Sequence, residues 1–132
     1  MKDSDLQRIG YIKKYCEKIG DSIARYGDSF EVFSEDWDYC NSVSMSIMQI
    51  GEISAKLSEE FKNHTRSQIQ WGSIKNMRNM FAHDYASMDK EVIWETAARD
   101  IPALLKFCKD VIHKATPQSE TPSKKSKDRD AR

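Results

Sequence analysis

Apolar positions near the start of the chain recur at steps of three and four: Leu6, Ile9, Ile12, Cys16, Ile19 and Ile23. That spacing lines one face of an amphipathic helix, with Ser4 and Gln7 placed as a capping box and Gly27 as a stop signal. A connection follows over Phe30–Phe33, and Ser34 or Asp36 can cap a long second helix reaching about Ser58. At 100° per residue, Val43, Ile47, Ile50, Ile53 and Leu57 share one face of that helix. Cys40, Met48, Gly51 and Ala55 form a second face of small or flexible residues. A helix buried on two sides suits the middle of a bundle or the seam of a dimer.

Further along, Ser58-Glu-Glu-Phe61 starts a short helical turn, and His64–Ser67 reads as polar loop. A third helix is predicted from Trp71 to about Ala82, with Ile74, Met77 and Phe81 on its apolar side, and Tyr85–Met88 breaks it. Asp89 and Glu91 open a last helical stretch whose stripe runs from Val92 and Ile93 through Ala97, Ile101, Leu104 and Leu105 to Cys108 and Ile112. Pro102 inside it must kink the helix or sit in the first turn of a new one after Asp100. Four valines and no alternating runs leave nothing from which to build a sheet. The predicted fold is all-α: an up-and-down bundle of four to five helices over residues 1–114. Residues 115–132 hold five Lys/Arg, three Asp/Glu and two prolines, with alanine as their only apolar content. Such a segment buries too little to offset ordering entropy and is expected as a disordered charged tail.

Charge and composition narrow the function. With 21 basic and 21 acidic residues the chain is neutral overall, which argues against binding nucleic acid through bulk positive charge. DNA is therefore not expected as a partner, although a local cationic pocket would not show in the total. No apolar run approaches the ~18–20 residues of a membrane span, and the N-terminus lacks a signal-peptide core. Cys16, Cys40 and Cys108 lie 24 and 68 residues apart, a spacing of neither a disulfide framework nor a zinc site. These features fit a cytoplasmic protein with reduced thiols packed in its core. His64, His83 and His113 show no metal-ligand spacing and no glycine-rich loop precedes a helix, so no metal or cofactor is expected.

The candidate chemistry sits at the end of the third helix, in Met77-Arg78-Asn79-Met80-Phe81-Ala82-His83-Asp84-Tyr85. Arg78 offers a permanent charge and a forked donor set suited to phosphate. His83 brings an imidazole, a side-chain type that can give or take a proton. Together they suit attack of a ribose 2′-hydroxyl on its neighbouring phosphate without a metal. In an unbroken helix five residues offset the two by about 140°, and a helix ending near Ala82 would remove that offset. The same residues also suit a plain helix end, where His83 answers the dipole and Arg78 is a surface cation. Asn79 can donate to phosphate or cap the helix. Asp84 can orient His83 or stand as an exposed carboxylate, and Glu52 is a solvated acid or a member of the same site.

Arg78-x4-His83-x-Tyr85 resembles the RX4HXY motif of the HepT-like branch of the HEPN superfamily. Ile50-Gly51-Glu52 followed by Leu57-Ser58 is similar to that family's second-helix signature. Trp71 ahead of Met77-Arg78-Asn79, then Val92-Ile93-Trp94-Glu95 and Ile101-Pro102-Ala103-Leu104, resemble the rest of its pattern, in order, over residues ~5 to ~112. The resemblance implies a homodimeric toxin of a HepT–MntA pair and a metal-independent endoribonuclease acting on RNA in a cleft between protomers. Carried over, Arg78 would bind the scissile phosphate, and His83 would act as general acid/base, one copy from each protomer. Tyr85 would accept AMP from an MNT-type nucleotidyltransferase antitoxin, and Glu52 would lie near the cleft. Related HEPN proteins imply a second reading, a non-catalytic substrate-binding partner of a nucleotidyltransferase. A third is a helical interaction module in which the motif is structural.

Overall fold

The apolar stripes fold as helices packed side to side. The computed structural model describes residues 1–116, among which there is no strand. α1 (Asp3–Tyr26) packs against α3 (Trp37–Ala55) and α7 (Ile101–Ala115), and α3 also takes α5 (Trp71–Asp84) on its other side. The short helices α2 (Phe30–Glu35), α4 (Glu59–Thr65) and α6 (Lys90–Glu95) join these rods. The all-α HEPN-like bundle expected from the sequence is therefore present. The segment from residue 117 onward, expected as part of a disordered tail, lies outside the described residues. No helix among the described residues is long and apolar enough to cross a membrane.

The core follows the predicted stripes. Ile9, Ile12, Cys16 and Ile19 from α1 meet Val43, Ile47 and Ile50 from α3 and Leu104, Phe107 and Cys108 from α7, all buried. Two aromatic clusters close the ends. Phe33, Tyr39 and Trp94 pack with ring centroids 5.1–6.2 Å apart at one end, where the Tyr39 hydroxyl donates to the Gly27 carbonyl at 2.9 Å. Phe61, Trp71 and Phe107 pack at 5.9–6.3 Å at the other, where the Trp71 indole donates to Thr65 Oγ1 at 2.9 Å. Burial pushes the Cys108 thiol up to about 12 and that of Cys16 higher still, so both sulfurs behave as protonated core groups.

Several local expectations are corrected. α1 begins at Asp3 with Lys2 before it, so Ser4 lies inside the first turn and no capping box forms. Asp5 does other work: buried, it accepts from the Ser58 hydroxyl at 2.6 Å and the Ser58 backbone N–H at 2.9 Å, tying α1 to the start of α4. Burial pushes its carboxyl up, but those bonds and the charges of Lys2 and Arg8 outweigh it and hold the group below its ordinary 3.8. Gly27 does stop α1, at φ 128°, a backbone conformation that favours glycine. The Phe30–Phe33 connection is instead helix α2, capped by Ser29, because Phe33 needs a helical turn to reach the core. Asp36, not Ser34, caps α3, accepting from the Tyr39 N–H at 3.1 Å. His64 belongs to the last turn of α4 rather than to a loop. Pro102 takes the second of its two expected places: a π turn (Thr96–Asp100) runs directly into α7, which starts after Asp100 with Pro102 in its first turn.

Candidate active site

The site is built on the seam between α3 and α5, which run antiparallel, and its closest approach is at Gly51. A Cβ placed on Gly51 would lie 2.7 Å from the Arg78 Cβ, nearer than real carbons come, and 3.2 Å from its Cγ. Only glycine lets α5 lie so close, and that closeness lays the arginine stem across α3. One residue further on, Glu52 accepts from the Arg78 Nε at 2.8 Å. The arginine is about one-third exposed and the glutamate just under half. Taking Arg78 by Nε fixes the guanidinium plane and leaves its two terminal nitrogens without a hydrogen bond among the described residues. The Gly51-Glu52 pair and Arg78, far apart in sequence, thus form one device: a close approach and a clamp that aim a forked cation.

His83 is not brought to that device within one chain. α5 continues through Asp84, with Phe81 and Tyr85 rings packed at 5.7 Å one turn apart, and the helix is broken only by Asp84 at φ −156°, ψ 40°. The helix end expected near Ala82 is therefore overturned, and His83 stays about 140° around the axis from Arg78. Both His83 and Asn79 are exposed, and the i, i+4 spacing puts Asn79 one turn below His83, on its face rather than beside Arg78. Asp84 is exposed. Its carbonyl accepts from Ser87 Oγ at 3.5 Å.

Tyr85 starts a short 3-10 turn (Tyr85–Ser87) and is 37% exposed. Its hydroxyl donates to Asn41 Oδ1 on α3, so the ring leans against the opposite end of the seam from Arg78. Met45 and Met80 are also exposed on these two helices. The seam therefore has one tight, ion-paired end and one open end carrying a histidine, a phenol and apolar side chains.

The model of the family described as ribonuclease HepT-like matches residues 12–111, most of the chain and all of α3 and α5. This chain belongs to that family. A protein named "Putative RNase" from Caldanaerobacter subterraneus subsp. tengcongensis is 32% identical over 106 residues, covering 80% of this chain and 92% of its own length. One of the same name from Methanocaldococcus jannaschii is 27% identical over 84 residues, covering 64% and 69%. No solved structure matches the chain.

Within this HepT-like chain, the structure pairs Arg78 with Glu52 and Tyr85 with Asn41, and among the described residues it joins the side chains of His83, Asn79 and Asp84 to neither pair by a hydrogen bond or ion pair. Sequence reasoning missed Asn41. The only signal was a polar residue on α3 at the edge of its apolar face, and nothing in one sequence pairs it with Tyr85. It also missed the serines of α3. Ser44 and Ser54 are buried without a hydrogen-bond partner among the described residues, where small size was expected only from Gly51 and Ala55.

Proposed function

We propose that this HepT-like chain is a metal-independent endoribonuclease acting as a symmetric homodimer, and the toxin of a HepT–MntA-type pair. Arg78, held by Glu52 and with its terminal nitrogens uncommitted, is the observation that carries the reading. A guanidinium presented in this way matches the paired oxygens of a phosphodiester and the charge that builds on them during displacement. The ribose 2′-oxygen forms the new bond to phosphorus and the bond to the 5′-oxygen breaks. One His83 takes the 2′-proton as base, and a second protonates the departing 5′-oxygen as acid. The products are a 2′,3′-cyclic phosphate and a 5′-hydroxyl.

The 140° offset gives this reading its dimer. Arg78 and His83 point different ways from one α5, and a two-fold axis that brings the arginines and histidines of two protomers into one cleft would set them around the same phosphate. Supporting it are the family match and the relatives named as RNases. Tyr85, half-exposed beside His83, is the modification site: AMP added to its hydroxyl by an MNT-type nucleotidyltransferase would break the bond to Asn41 and put an anionic phosphate at the cleft, repelling RNA. Asn79 and Asp84 take supporting places on the His83 side.

The test is growth after induction of this chain alone, beside Arg78→Ala and His83→Ala at matched soluble levels. Arrest by the parent and by neither variant, with new 2′,3′-cyclic phosphate ends in cellular RNA, is the expected result. A harmless parent, or equal arrest by all three, would move the chain to the rival reading of a nucleotidyltransferase's binding partner.

A further inference from the structure

A groove of about 630 Å³ runs along the outer side of the seam, away from the open end, and ends at Arg78. Its walls are Lys62 on α4, Arg66 at the C-cap of that helix, and Gly72, Lys75 and Arg78 on α5, and Gly51 and Ser54 of α3 form its floor. Lys62 and Arg66 are four apart, and Gly72, Lys75 and Arg78 are three apart, so each set forms one stripe on its helix. The one carboxylate lining it, Glu59, pairs with Lys62 at 3.3 Å but is 83% exposed, so it cancels little of the field. Residues 1–114 carry 16 basic and 18 acidic side chains, a net of −2, yet four cations converge here, opposed by Glu59 on Lys62 and by Glu52 on the Arg78 Nε.

Two further observations point to an anion. Ser54 is 4% exposed, lines the groove, and its Oγ has no hydrogen-bond partner among the described residues. Helical serines commonly bond back to a carbonyl one turn earlier; this hydroxyl is left as an unused donor. The groove also receives the N-terminus of the 14-residue α5, which has no side-chain cap and no acidic residue in its first turn. A Cβ on Gly72 in that turn would meet nothing within 4 Å, so the amide end of the helix is open to the groove. Free N–H groups and the positive end of the dipole favour negative charge.

We infer that this groove is a track for the RNA strand, binding the phosphodiesters next to the one held by Arg78. The inference rests on the ribonuclease reading and gives its substrate a path: single-stranded RNA laid between α4 and α5, with a phosphate over the N-terminus of α5. Affinity then comes from this local strip of charge, which the neutral total conceals.

The experiment measures binding of an end-labelled, mixed-sequence single-stranded RNA of about 20 nucleotides across a salt series, where each phosphate contact contributes a slope of roughly −0.7. His83→Ala serves as the uncleaving parent. Lys62→Ala/Arg66→Ala/Lys75→Ala in that background is expected to weaken binding at least tenfold and to flatten the slope by about two. Gly72→Asp has room for its side chain and suits a helix first turn, so it should fold at least as stably while weakening binding by a similar factor. Lys14→Ala/Lys18→Ala/Lys109→Ala removes equal charge from exposed sites on α1 and α7 and should bind like the parent. In the cleaving protein, Gly72→Asp should raise KM more than it lowers kcat. Unchanged affinity and slope in the folded groove variants, or no RNA binding by His83→Ala, would overturn the track. Displacement by ATP as effective as by unlabelled RNA at equal nucleotide concentration would overturn it too, assigning the groove to a free nucleotide. If the chain cleaves RNA with unchanged KM in the groove variants, the track falls and the nuclease stands. If RNA binds through the groove and is never cut, the track stands and the nuclease falls.

Discussion

The two ends of the α3–α5 seam are built on opposite principles. At the Gly51 end, a missing side chain draws the helices together and an ion pair fixes Arg78 in one orientation. At the Asn41 end, Tyr85 leans on a single side-chain hydrogen bond, and His83, Met45 and Met80 face outward. Precision is stored where one chain can supply it alone. The residues of the other end, His83, Tyr85, Met45 and Met80, are left on the outside, open to a second molecule. The contrast shows how eight residues, Arg78 to Tyr85 across the end of α5, reach two separate ends of the seam.

The sharpest way to break the comparison is Arg78→Lys. A lysine keeps the charge but cannot give one nitrogen to Glu52 and two to phosphate, so cleavage should fall by about 10²-fold or more. Near-parental kcat/KM on an RNA oligonucleotide would mean the clamp is unimportant. Gly51→Ala should come next. Its methyl must push α5 off α3, at a cost of about 1–3 kcal/mol in denaturant unfolding. Cleavage should fall beyond what the remaining folded fraction explains, because Arg78 moves with the helix.

Beneath the tight end, Asp5→Asn should cost about 1–2 kcal/mol by setting an amide against the Ser58 donors. Because the carboxyl of Asp5 is held below its ordinary 3.8, its contribution is complete above that value and is lost as pH falls through the lower folded value. The stability gap between parent and Asp5→Asn should therefore be constant near neutrality and begin to close as pH falls below 3.8; a gap that widens in acid would contradict it. At the open end, Tyr85→Phe should change stability by less than about 0.5 kcal/mol. It should leave cleavage near parental while removing AMP acceptance from an MNT-type enzyme, read by intact mass. A large loss of stability there would show the two ends to be alike.

The amphipathic stripes were legible because helix periodicity and burial share one arithmetic: Ile9, Ile12, Cys16 and Ile19 recur at core spacing and are core. The Arg78–Glu52 contact was legible only as a resemblance, since 26 residues separate the partners and no local rule joins them. From the sequence the end of α5 falls two residues early, because Tyr85–Met88 reads as the break, whereas the helix runs on through Asp84 with Phe81 packed against Tyr85. The cationic groove was hidden by neutrality of the whole: its charges come from two helices, and a sum over the sequence cannot register that they converge.

The π turn at Thr96–Asp100 sets the phase of the last rod. Ile93, Ala97 and Ile101 are spaced by fours, and on a regular α-helix each such step would drift about 40° around the axis. Bonding the Ile101 N–H to the Thr96 carbonyl, five residues back, makes a step of four come close to a whole turn, so the stripe of α6 and that of α7 stay aligned over one core. The extra backbone unit acts as a vernier between two helices whose patterns are out of step. Straightening that turn into regular α-helix without removing a residue would leave every side chain of α7 chemically intact while rotating Leu104 and Phe107 by about 100°, out of the bundle.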